Sequence, residues 1–145
     1  MIFSSDRLEL RKLYFDSWHK YLTKQQLTNL EVQIAQIIKH HPEYHNYLSN
    51  LDNLDKDFSP EISQTNPFLH MGLHIGLSEQ VITNRPNGIN NIYYKLCQQY
   101  KDEHQVQHMI MDHLVELLWN AQKNHSQLDE AAYLEKLQNY LLDIR

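Results

Sequence analysis

One cysteine, three glycines and four prolines in 145 residues, and no long apolar run, are the first facts of this chain. A lone thiol, Cys97, can form no internal disulfide and no cysteine zinc cluster, so a reduced intracellular setting is expected. Crossing a bilayer takes roughly 20 consecutive apolar residues, and their absence predicts no membrane association. The opening residues, Met-Ile-Phe-Ser-Ser-Asp-Arg, lack the basic segment and apolar stretch of a secretory signal, and the chain reads as cytoplasmic. Basic charge is not in excess either. Thirteen Lys and Arg against 18 Asp and Glu leave a net charge of −5, and the pI near 6.0 gives nucleic acid no electrostatic footprint.

Strand alternation is missing, and the apolar periodicity is helical. From Ser5 to about Leu22, Leu10, Tyr14, Phe15, Trp18, Tyr21 and Leu22 share one side, with Arg7, Arg11 and Lys12 lying mostly away from it. Thr28-Asn-Leu-Glu31 reads as a capping box opening a second helix, with Leu30, Ile34, Ile37 and Ile38 as its apolar stripe. Pro42 stops that helix and suits the first position of a short one to Leu48. Residues 49–65, rich in turn formers and acids, read as a surface loop anchored by Leu51, Leu54 and Phe58, a domain linker being the alternative.

Asn66-Pro67 opens a helix to about Thr83 that is apolar nearly all round, which predicts a buried, central element. After the turn Asn84 to Gly88, a helix is expected from Ile89 to about Tyr100, and a long one capped by Asp102 to about Lys123. Ser126-Gln-Leu-Asp129 resembles a last capping box, opening a helix with Tyr133, Leu134, Leu137, Tyr140 and Leu141 inward. The expectation is an all-α, single-domain bundle of five to six helices over residues 1–145.

What the chain has in excess is histidine, ten residues. Four of them form two pairs spaced i, i+4, His70-Met-Gly-Leu-His74 and His104-Gln-Val-Gln-His108. Four residues turn a helix through about 400°, so each pair lies on one face. Two such pairs on facing helices would make a nitrogen ligand set for a divalent metal, zinc or iron. His70 and His74 share an arc of about 60° with Leu77 and Val81, and a ring in an apolar stripe needs a partner. Asp112 and Glu116 continue the second helix in steps of four, as carboxylate ligands, as carboxylates supporting the ligands, or as a solvated face. The alternative is a network in which the imidazoles bond one another, a carboxylate or a backbone carbonyl. His113 points away from His104; His40, His41 and His45, around Pro42, are expected at a helix end or the surface, and His19 and His125 in solvent.

Known helical metal motifs are excluded. Met71 stands where the metalloprotease motif needs Glu, and no Glu-x-x-His has the register of a ferritin-like di-iron site. No catalytic set emerges. Gly72 and Gly76 suggest close approach of a second backbone, because Gly inside a helix costs about 1 kcal/mol against Ala. Arg85, just past the central helix, suits an anion, free carbonyls or a carboxylate such as Glu79. Cys97, on an apolar face, reads as core.

The blocks Asn66-Pro-Phe-Leu-His-Met-Gly-Leu-His74, Glu79-Gln80, Arg85-Pro-x-Gly88, the His104/His108 pair, Leu118-Trp-Asn-Ala-Gln122 and His41-Pro-Glu-Tyr44 together resemble a bacterial family, domain of unknown function eighteen forty-one. The resemblance spans nearly the whole chain and implies a small, single-domain, cytoplasmic bacterial protein, with no activity or catalytic residue to carry over. Two expectations follow for function. One is a His-rich bundle binding a divalent metal through His70, His74, His104 and His108. The other is a non-enzymatic adaptor or assembly protein with a buried His network, acting through a protein partner or as a homo-oligomer.

Overall fold

The structure, a computed structural model, describes residues 2–54 and 66–141. Over these residues it is all-α with no strand: α1 (Ile2–Leu22), α2 (Asn29–Lys39), α3 (His45–Leu48), α4 (Pro67–Thr83), α5 (Ile89–Tyr100), α6 (Glu103–Asn124) and α7 (Glu130–Gln138). Seven helices exceed the expected five to six; the short helix expected from Pro42 to Leu48 forms as a 3-10 turn at Pro42–Tyr44 followed by the four-residue α3. Of the expected loop, residues 51–53 form a second 3-10 turn, and Phe58 lies outside the described residues. Among the described residues, no helix is long and apolar enough to cross a membrane. The chain divides into two compact units, Met1–Gly72 and Leu73–Arg145, with the boundary inside α4.

In the first unit α1 packs on α2. Its core is Tyr14, Phe15 and Trp18 of α1, Ile34, Ala35 and Ile38 of α2, Leu48 of α3, and Phe68 and Met71 of α4. Burying each large apolar side chain here contributes about 1.5–3 kcal/mol. Phe68 gathers the rings, with Tyr14 edge-on at 5.5 Å, Phe15 at 6.2 Å and Tyr47 at 6.1 Å. The inward face of α1 is rotated from the expected one. Leu10 and Leu22 are more than half exposed, whereas Arg11 is buried. Arg11 can be inside because its guanidinium lies 4.9 Å from the centre of the Phe68 ring and its Nη1 donates to the Leu54 carbonyl at 3.4 Å. On α2 the exposed Leu30 is likewise outside the core, and Glu31 takes the inward position. The capping box accounts for this: Glu31 N–H donates to Thr28 Oγ1, Thr28 N–H to Glu31 Oε1, and Lys20 Nζ to Glu31 Oε2 at 2.8 Å. The Lys20 bond and the Thr28 amide hold the Glu31 carboxyl below the usual range.

The second unit is built on Leu73 and Leu77 of α4, Ile89, Ile92 and Leu96 of α5, Val106, Ile110, Met111, Leu114 and Leu117 of α6, and Tyr133 and Leu137 of α7. Gly88 has φ +103°, which L side chains rarely adopt. The Asn84 side-chain oxygen accepts from the N–H groups of Gly88 and Asn90 and holds the turn. Asp102 caps α6 by accepting from Gln105 N–H. For α7 the cap is Asp129, accepting from Ala132 N–H, and not Ser126. A carboxylate three residues later in the chain captures the free amide, so the helix starts later than expected. Tyr140 and Leu141 lie beyond the end of α7 yet pack against the core.

Two expectations about α4 are corrected. Leu69 and Ile82 are 54% and 77% exposed, so the helix is apolar all round in sequence without being buried all round. Among the described residues no second backbone approaches its glycines: a Cβ at Gly72 would meet only the Tyr14 hydroxyl at 4.0 Å, and one at Gly76 nothing within 4 Å.

Candidate metal centre

Helix α4 carries His70 and His74 one turn apart on the same side, about 6 Å along the axis. In the first unit His70 meets His41. The end of α2 puts His41 there, where its Nδ1 donates to the Ile37 carbonyl at 2.7 Å. A carbonyl only accepts, so the His41 proton sits on Nδ1 and Nε2 is bare. That bare Nε2 lies 3.1 Å from His70 Nε2, with the two rings edge to face and centroids 4.9 Å apart. Tyr44 stacks on His41 at 5.3 Å and meets His70 edge-on at 6.3 Å. Its hydroxyl is pushed up by burial and then by the Glu43 charge, and stays protonated at neutral pH. His41 lies at the helix end, one of the two placements expected of it, and is buried there, not at the surface.

The second unit brings together His74, His104 and His108. The His74 ring centre lies 5.9 Å from that of His104 and 5.0 Å from that of His108. His104 and His108 meet at right angles at 4.1 Å, as the i, i+4 spacing on α6 dictates. Burial separates the three: His74 is buried, His108 half-buried and His104 exposed. His74 Nδ1 is 3.0 Å from Gln107 Oε1.

Of the carboxylates, Asp112 is exposed, and Glu116 is held at 2.6 Å by Lys136, the contact that lowers its pKa. Glu79 and Arg85 are both exposed, and no ion pair joins them among the described residues. His113 is engaged elsewhere, its Nε2 at 2.7 Å from the Tyr140 hydroxyl. His45 Nε2 donates to the Ile38 carbonyl while its ring lies 4.5 Å from Trp18. Burial pushes the Cys97 thiol up, which suits a core residue and not a nucleophile.

The residue that spacing alone overlooks is His41. Its signal was a histidine at a helix end, where free carbonyls invite a ring N–H, but nothing in the sequence ties it to His70, 29 residues away.

Imidazoles facing one another with bare or exchangeable nitrogens suit a borderline metal such as zinc or iron(II), which takes neutral nitrogen donors at about 2.0–2.1 Å. The 3.1 Å between the two Nε2 atoms matches one edge of a tetrahedral shell, roughly 3–3.5 Å at those bond lengths.

No curated protein and no solved structure matches the chain. A family model does, over residues 6–139. By that match the chain belongs to the family described as domain of unknown function (DUF1841).

Proposed function

We propose that this protein binds a divalent metal ion, zinc or iron, through its clustered histidines, His41 and His70 in the first unit and His74, His104 and His108 in the second. The observation that carries the reading is that the Nε2 atoms of His41 and His70 lie 3.1 Å apart, as two ligands of one tetrahedral ion would; in the second unit the rings of His74, His104 and His108 lie 4.1 to 5.9 Å apart. Two supports come from elementary geometry. His70 and His74 are held in register by the single helix they share, and His41 already presents a bare Nε2 because Ile37 takes its other proton. Relative to the ligand set expected from spacing, His41 is added.

Untagged protein is to be purified and its zinc and iron measured by elemental analysis, with a zinc titration of the chelated protein. Bound metal is expected in wild type, and less of it in His41→Ala and in His74→Ala. A wild-type protein that takes up neither metal overturns the reading and leaves the His41–His70 contact as a structural hydrogen bond.

A further inference from the structure

The side chain behind His74 belongs to a chain of hydrogen bonds whose direction is forced at every step. It starts at Glu103, the first residue of α6, whose carboxylate oxygen accepts from the Tyr93 hydroxyl at 2.9 Å. A phenol has one proton, so the Tyr93 oxygen must then be the acceptor of its other contact, the Gln107 amide nitrogen at 3.1 Å. This fixes which end of the Gln107 amide faces which way: its nitrogen points to Tyr93, and its Oε1 points to His74 Nδ1 at 3.0 Å. An amide oxygen only accepts, so the His74 proton sits on Nδ1 and Nε2 is bare.

We infer that Glu103, Tyr93 and Gln107 are positioning residues that lock His74 in the Nδ1–H tautomer and so present its Nε2 as a metal donor. The inference rests on the metal reading for its purpose, and on the hydrogen bonds alone for its geometry. The chain orients and does not conduct: a neutral amide passes no proton, so Gln107 insulates His74 from the carboxylate while transmitting its direction. Burial raises the Tyr93 hydroxyl well above its ordinary pKa, with Gln107 opposing and Glu103 reinforcing the shift, so the donor stays protonated at neutral pH. A cleft of about 140 Å³ lined by His74, Tyr93, Glu103 and Gln107 runs along the chain. The arrangement parallels the His41 side, where the Ile37 carbonyl does the same task in one step. Outer partners of this kind change metal affinity about tenfold to a hundredfold when removed.

The test reads the tautomer of His74 by ¹⁵N NMR in chelated protein, and zinc affinity in parallel. Wild type is expected to show the Nδ1–H form. Gln107→Leu is expected to lose it and to weaken zinc binding about tenfold to a hundredfold, and Gln107→Glu, which keeps an acceptor oxygen, to restore the tautomer. Should Gln107→Leu fail to fold, Glu103→Gln at the exposed start of the chain is expected to mix the two tautomers, since its amide can donate back to Tyr93. An Nε2–H His74 in wild type overturns the inference, as does an unchanged tautomer in the folded variants. If wild type shows the Nδ1–H form but binds no zinc, the metal reading falls while the positioning chain stands.

Discussion

The Nε2 atoms of His41 and His70 face one another at 3.1 Å. One of them must carry a proton, and because His41 gives its own to Ile37, His70 is the donor in the metal-free protein. A metal ion taken up between them needs both nitrogens bare. Zinc is therefore expected to move the His70 proton from Nε2 to Nδ1 and to leave His41 unchanged, a tautomer exchange visible by ¹⁵N NMR. A His70 ring that keeps its Nε2–H form in zinc-saturated protein would show that this nitrogen is no ligand.

Metal binding should also appear in stability. A ligand at 100 times its Kd adds about 2.7 kcal/mol to a protein that binds it only when folded. Thermal unfolding of untagged wild type is expected to shift upward with zinc and to return with chelator, and His74→Ala is expected to show no such shift.

The glycines of α4 and of the following turn should respond in opposite directions. With nothing within 4 Å of a Cβ at Gly76, Gly76→Ala gains helix propensity and is expected to stabilise by about 0.5–1 kcal/mol. Gly88, at φ +103°, is expected to lose about 1 kcal/mol on conversion to Ala. Urea denaturation of both variants measures the two signs.

Glu31 ties acid sensitivity to the capping box. Its carboxyl titrates lower in the folded chain than the usual value near 4.3 because Lys20 and the Thr28 amide bond the charged form. A depressed carboxyl contributes stability that is fully present above the unfolded value and is lost as pH falls through the folded one. Glu31→Gln is thus expected to be less stable than wild type at pH 7, with the gap closing below about pH 4. Thr28→Ala, which removes the hydroxyl acceptor, is expected to cost about 1 kcal/mol. Thermal melts across pH 3 to 7 on the three proteins decide both points.

Tyr140 holds the only hydrogen bond seen for the His113 ring among the described residues, because His113 Nδ1 is buried without a partner. Tyr140→Phe leaves that ring unsatisfied at both nitrogens and is expected to cost about 1–3 kcal/mol. An unchanged midpoint in denaturant would mean that water takes over the bond.

The helices were legible because their signals are local. Thr28, Asn66 and Asp102 cap where their side chains can reach amides two or three residues on, and Pro42 ends α2 for a steric reason that needs no tertiary information. Which face turns inward was harder wherever a polar residue had a private partner. Arg11 displaces Leu10 because Phe68 and Leu54, distant in sequence, receive its guanidinium. The i, i+4 pairs pointed to His70, His74, His104 and His108 through helix geometry alone. His41 stayed hidden because its neighbour is brought to it by the fold. Gln107 was hidden as well, since an uncharged amide between two histidines looks like surface until its partners are known.

The two tryptophans fall one to each unit. Trp18 is sealed in the first unit and stacked on Tyr21 at 5.4 Å, whereas Trp119, under the Lys123 ammonium, is already 58% in water. Loss of structure in the first unit takes an indole from an apolar enclosure into solvent, and loss of structure in the second barely changes the surroundings of its own. The native emission spectrum is in effect a gauge of one half of the molecule, and a gradual or split transition in it would report on residues up to Gly72 while remaining nearly blind to the rest.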